Sequence, residues 1–264
     1  MTEPRTFPQI VEAVNPALVR VVLIQRPDPK RINVTAQIGT GFILTEDGYI
    51  ATAGHNLTAA AQRQQIAVIL PTSQVIPCRL VASNIQWKMD EKAHMTADLG
   101  VLKTEAKHGP LPWVRIGVPP IARQGDEVGV IGYQSFEDPR SLGVANLPPQ
   151  EAQEFLRASQ AQTFAARATV ASRFEVSHGD RESTILYLDS HLSVGMSGAP
   201  VVWLESGEVI GVVSGSKIEA QMSGFAQVLL PAGMTKVFGV QLLQECVAGL
   251  QRQEKDQQRG GESE

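Results

Sequence analysis

The sequence predicts an all-β fold of two six-stranded antiparallel β-barrels, and three observations predict it. Twelve short segments rich in Val, Ile, Leu, Thr and aromatic residues recur between Gly, Pro, Asn and Asp punctuation. A Pro-rich stretch over 110–120 divides them six and six, as a linker between two small closed sheets would. No helix-length pattern alternates with the strands, which argues against a parallel α/β sheet. With 264 residues, 43% of them hydrophobic, the chain can supply two lobes of about 100–150 residues, each with its own core.

The first six strands are read over 18–25, 34–44, 49–53, 66–70, 75–82 and 99–103, and together they make an N-terminal barrel within residues 1–115. The second six are read over 127–133, 165–176, 184–189, 200–204, 208–214 and 224–229, within a C-terminal unit of 116–253. Most are too short and too β-branched to be helices. A helical insertion interrupts the second barrel, where Pro148-Pro149-Gln150-Glu151 opens an Ala-, Gln- and Glu-rich run to about Gln162. Pro and an acid at its start are what a helix N-terminus prefers. A C-terminal α-helix is expected over 235–253, with Phe238, Leu242, Cys246 and Leu250 on one stripe. Residues 254–264 are polar, without a core-forming side chain, and read as a disordered tail.

Composition excludes several classes of function. The formal net charge is −4 and no basic block stands out, so nucleic acid is not an expected partner. No apolar run approaches the roughly 18–20 residues that cross a bilayer, and no membrane association is expected. The first residues, with Glu3, Pro4 and Arg5, lead into no signal-peptide core. Cys78 and Cys246 are the two cysteines. They make neither a disulfide framework nor a zinc site, and they point to a reducing, cytoplasmic setting.

Three short segments carry candidate chemistry. Gly39-Thr40-Gly41-Phe42-Ile43-Leu44 is followed by Tyr49-Ile50-Ala51-Thr52-Ala53-Gly54-His55-Asn56, a strand pair ending at a His among small residues. Thr96-Ala97-Asp98-Leu99-Gly100-Val101-Leu102 puts an Asp at the mouth of an apolar strand. Val194-Gly195-Met196-Ser197-Gly198-Ala199-Pro200 holds a Ser between glycines before another strand. Each has an ordinary structural explanation: a strand-end His, a turn-capping Asp, a tight Gly-Ser-Gly turn. Together, in the order His, Asp, Ser, with the His in one barrel and the Ser in the other, they match the template for nucleophilic acyl transfer.

Rival hydrolase arrangements fail on order. All five histidines precede Ser197, whereas an α/β-hydrolase needs its His afterwards and a Gly where Ala199 stands. A subtilisin-type order would need an Asp before His55, where Asp28 and Asp47 stand, and a fold with more helix. No HExxH-type spacing supports a metal site.

On these motifs (GTGFIL, TAGHN, ADLGVLK and GMSGAPVV) the chain resembles the trypsin-like, chymotrypsin-fold serine proteases, in the style of the bacterial HtrA type, over about residues 16–230. The resemblance implies His55 as general base, Asp98 as its orienter and Ser197 as nucleophile. It implies an oxyanion hole from the backbone N–H groups of Gly195 and Ser197, and no cofactor. A Ser hydroxyl does need an adjacent base at neutral pH, and His has the pKa for it.

The resemblance also implies that Gly211-Val212-Val213-Ser214-Gly215-Ser216 pairs with an extended protein or peptide substrate, with Ser214 bonding to Asp98. It puts His191 at the base of the specificity pocket, Asp189 close by, and Gly224, Phe225 and Ala226 along a wall. Met196 occupies the place of the zymogen-activating Asp. With 34 residues after Leu230 there is no room for a PDZ domain, which leaves control to a protein partner or to the inserted segment. An alternative stays open: a proteolytically inactive interaction module on the same barrels.

Overall fold

The computed structural model describes residues 5–28, 31–58, 65–88, 94–105, 108–117, 122–135, 151, 158, 161–178, 181–223 and 226–261. The first barrel comprises β1 (Leu18–Asp28), β2 (Arg31–Ile43), β3 (Tyr49–Thr52), β4 (Gln65–Ile69), β5 (Val75–Lys88) and β6 (His94–Thr104). It closes in the order β1-β2-β3-β6-β5-β4. The second comprises β7 (Glu127–Tyr133), β8 (Thr163–His178), β9 (Arg181–Leu188), β10 (Pro200–Trp203), β11 (Glu208–Ser223) and β12 (Ala226–Gly239). Started from β7, its ring reads β7-β8-β9-β12-β11-β10, the path of the first barrel repeated without any repeat in sequence. Two such antiparallel barrels are the chymotrypsin-like architecture. Closure leaves neither sheet with an open edge.

Several strands bury both faces, so their apolar residues run on rather than alternate. In β7, Val128 and Val130 fill the second barrel beside Leu186, Val201 and Val237. On its other face, Ile131 and Tyr133 join a core shared between the barrels with Phe42, Ile50, Val212 and Phe238. The linker enters the second barrel at Ile116, which bridges in parallel to Val209.

The C-terminal expectations need correction. Residues 235–239 belong to β12, where Val237 and Phe238 pair with Leu186 and Ile185 of β9 on one side and with Val213 and Val212 of β11 on the other. β-Branched and aromatic residues with a neighbour on both flanks favour the sheet. The helix, α3, starts at Gln241 and runs to Gly261, through the segment expected as a disordered tail. Gln, Glu, Lys and Arg are good helix formers once a docked helix can be extended, and Glu254 is held by Arg79 at 2.9 Å. Of the expected helical insertion, Glu151, Ala158 and Ala161 are helical, and the other residues of 136–160 lie outside those described.

A helix over Phe7–Val14, α1, was not expected. Its signal was local: Gln9 reaches back to accept the Thr6 N–H at 2.8 Å, and Pro8 occupies the first turn. Phe7 lies against Gly129 of β7 with the Arg167 guanidinium 5.3 Å from its ring centre, so this N-terminal helix docks on the second barrel. No helix among the described residues is long and apolar enough to cross a membrane.

Candidate active site

His55 leaves the first barrel on a short helix, α2 (Gly54–Thr58), that follows directly from buried β3. Asp98 lies in β6 between Ala97 and Leu99, both fully buried, so its backbone is anchored by the core on either side. Ser197 lies in the turn that leads into β10, and Ser214 in β11. These four positions come from separate elements of both barrels.

The geometry centres on Asp98. Its Oδ1 accepts the His55 backbone N–H at 2.6 Å, and its Oδ2 meets His55 Nδ1 at 2.7 Å. The Ser214 hydroxyl donates to the same Oδ2 at 2.6 Å. A carboxylate accepts, so Nδ1 carries the ring proton and Nε2 keeps its lone pair. Burial works to raise the Asp98 pKa. The bonds from the His55 ring and Ser214, the charge the ring carries whenever it is protonated and the His55 N–H outweigh it and hold the carboxyl below its ordinary value.

His55 and Ser197 line one cleft of about 290 Å³ with Ile38, Leu192, Val194 and Val213. No hydrogen bond joins the Ser197 hydroxyl to the His55 ring among the described residues. Gly195 and Gly215 line the same cleft. Gly195 adopts φ +92°, open to glycine and strained for other residues, and a Cβ there would stand 2.4 Å from the Ser135 nitrogen. The Val194 carbonyl accepts the Ser135 N–H at 2.8 Å. In a trans peptide the C=O and the following N–H point oppositely, so the Gly195 N–H faces away from Ser135. No hydrogen bond among the described residues uses it or the N–H of Ser197.

The structure brings together His55, Asp98, Ser197, Gly195, Ser214 and Gly215. Ser216 pairs with Thr235 in the β11–β12 ladder. His191 is exposed and does not line the cleft, where its neighbour Leu192 does instead. Asp189 accepts the Thr169 N–H at 2.6 Å, which ties it to β8. Gly224 and Phe225 lie outside the described residues. Sequence reasoning missed Ser135, Ile38 and Leu192, none of which carries a side-chain chemistry that flags it. Among the described residues, no group of three His, Cys, Asp or Glu is placed to hold a metal ion.

Residues 39–212, from the first motif to β11, match the trypsin-like peptidase domain. The chain is 27% identical over 206 residues to serine protease HTRA1 of Xenopus tropicalis, covering 77% of this chain and 36% of that protein. It is 25% identical over 218 residues to the mitochondrial serine protease HTRA2 of Bos taurus, covering 80% and 39%. It is 27% identical over 209 residues to human serine protease HTRA3, covering 77% and 38%. The chain thus spans less than half the length of these curated relatives. With two closed barrels, an Asp-bound His that shares a cleft with a Ser, and a family match over most of its length, the chain belongs to the trypsin-like peptidase family.

Proposed function

We propose that the protein is a serine endopeptidase that hydrolyses protein substrates through an acyl-enzyme. The observation that carries this reading is the Asp98 carboxylate, bound to both the ring and the main chain of a His that shares its cleft with Ser197. In this mechanism Ser197 Oγ attacks the scissile carbonyl while His55 Nε2 takes its proton. Asp98 holds the ring in the Nδ1–H tautomer and stabilises the imidazolium as it forms. The imidazolium then protonates the leaving amine, and a water deprotonated by the same ring releases the acyl group. Negative charge on the former carbonyl oxygen meets the N–H groups of Gly195 and Ser197. One such donor is worth about 2.7–4 kcal/mol of barrier. The substrate runs as an extended segment beside Ser214–Ser216 and adds main-chain bonds. The reading includes a reducing, cytoplasmic setting, supported by two free thiols at Cys78 and Cys246.

A fluorophosphonate probe tests the proposal. Wild-type protein should label covalently and Ser197→Ala should not. Equal labelling of the two, or none in either even with peptide substrate added, refutes it. The open Ser197–His55 contact favours a second reading, in which a bound peptide or regulatory partner completes the relay, since such bonds commonly tighten only in the complex. Labelling would then rise when peptide or partner is added.

A further inference from the structure

His55 and Ser197 come from different barrels, so something must fix the nucleophile loop against the element that carries the His. The Ser197 carbonyl accepts two hydrogen bonds from the first barrel: from the Thr40 N–H at 2.9 Å and from Asn56 Nδ2 at 3.1 Å. Asn56 Nδ2 also donates to Thr52 Oγ1 at 3.0 Å, and the Thr52 hydroxyl donates to the Thr40 carbonyl at 2.7 Å. Thr40, Thr52, Asn56 and Ser197 therefore close a ring. One residue pair away, the Thr40 hydroxyl donates to the Gly195 carbonyl at 2.8 Å and accepts the Tyr133 N–H at 2.9 Å.

The ring is buried and tight. Thr40 and Thr52 are fully buried and Asn56 is 4% exposed. A Cβ on Gly39 would stand 2.2 Å from Asn56 Nδ2, and one on Gly198 would stand 2.1 Å from the Thr40 carbonyl oxygen. Buried polar groups satisfied by one another specify a single arrangement, whereas removing one member leaves the others unpaired.

We propose that Asn56, working through Thr40 and Thr52, is a positioning residue that ties the Ser197 loop to the helix bearing His55. The proposal rests on the reading of Ser197 as nucleophile. Asn56 follows His55 directly on α2, so its bond to the Ser197 carbonyl sets the spacing of base and nucleophile without passing through either barrel core. The same ring reaches the Gly195 carbonyl through Thr40. One tie therefore registers both the nucleophile and the oxyanion peptide against the first barrel.

The hydrogen bonds themselves supply the test. Asn56→Leu removes the tie. Thr52→Val removes the hydroxyl that holds the Asn56 amide, and Thr52→Ser keeps it. Fluorophosphonate labelling rate and amide exchange at Thr40 and in 193–199 are measured for each. Asn56→Leu and Thr52→Val should label about tenfold more slowly or worse and exchange faster at those amides, while Thr52→Ser should stay close to wild type. A labelling rate unchanged in Asn56→Leu overturns the proposal. So does a Thr52→Ser variant as slow as Thr52→Val. If wild-type protein does not label even with peptide added, the endopeptidase reading fails instead. The tie is then judged by exchange alone, supported by faster exchange in Asn56→Leu and overturned by none.

Discussion

The Ser135 backbone N–H donates to the Val194 carbonyl at 2.8 Å, and this bond sets which way the Val194–Gly195 peptide faces. With the carbonyl bound to Ser135, the Gly195 N–H faces away from it, and Gly195 lines the cleft that Ser197 shares. In the proposed mechanism a flipped peptide would put a carbonyl oxygen where the oxyanion forms, and attraction would become repulsion. Ser135→Pro removes the donor N–H, while Ser135→Ala keeps it and serves as reference. The expected outcome is a fluorophosphonate labelling rate about 100-fold lower in the Pro variant than in the Ala variant. Equal rates would show that the peptide is held by something else.

Asp98 sets a pH dependence whose sign follows from its partners. Burial alone would raise its pKa, but the bonds from His55 and Ser214 bring the folded value below that of the unfolded chain, which is about 3.9. The stability it contributes is complete above the unfolded value and is lost as pH falls through the folded one. Urea unfolding of wild type and Asp98→Asn across acid pH should show a gap that is constant near neutrality and narrows below about pH 4. A gap that widens on acidification contradicts the sign. At neutral pH the same variant should lose about 10⁴ in turnover, because an amide favours the wrong tautomer.

Among the described residues that line the cleft, His55 alone is ionisable, and Ile38, Leu192, Val194 and Val213 supply apolar wall beside the neutral polar groups of Asn56, Ser193 and Ser197. A charged side chain entering it would lose water without gaining an acid or a Lys or Arg to pair with. Cleavage in a peptide library should therefore fall after aliphatic residues, with Lys, Arg, Asp and Glu disfavoured. Leu192→Asp should shift the preference towards Lys and Arg. A wild-type preference for charged residues would move the specificity pocket to groups outside this wall.

The barrels and the central site were legible because their signals are local. Thr96-Ala97-Asp98-Leu99 shows an acid set into an apolar strand, and Gly195-Met196-Ser197-Gly198 shows backbone freedom around a hydroxyl. The pocket was not legible, because which of two adjacent loop residues faces inward depends on backbone angles that no spacing encodes: Leu192 faces the cleft and His191 faces solvent. The hairpin of β11 and β12 was also underestimated. Its ladder continues from Gly215↔Lys236 out to Ser223↔Ala226 through a mixed run in which Gly, Ser, Lys, Glu, Gln and Pro interrupt the apolar residues, so the strand form rests on cross-strand pairing that no regular alternation announces. The Asn56 ring was hidden for another reason, since its members lie in three separate segments and become neighbours only when the barrels meet.

The C-terminal helix is tied to the first barrel by charge. Arg79 donates to Glu254 at 2.9 Å, and Lys103, bonded to Asp47 at 2.6 Å, lies 3.8 Å from the other Glu254 oxygen. Lys103 is also 3.8 Å from the centre of the Tyr49 ring and is shielded, with a side-chain exposure of 13%. Arg79 and Glu254 are far more exposed, at 50% and 34%, so solvent and salt screen the tie and its contribution is at most about 1 kcal/mol. Glu254→Gln should lower the melting temperature by no more than a few degrees at low ionic strength, and the difference should shrink as salt is raised. Calorimetry of the two proteins across a salt series checks this. A difference that stays constant with salt would mean that Glu254 acts through packing or helix extension rather than through its charge.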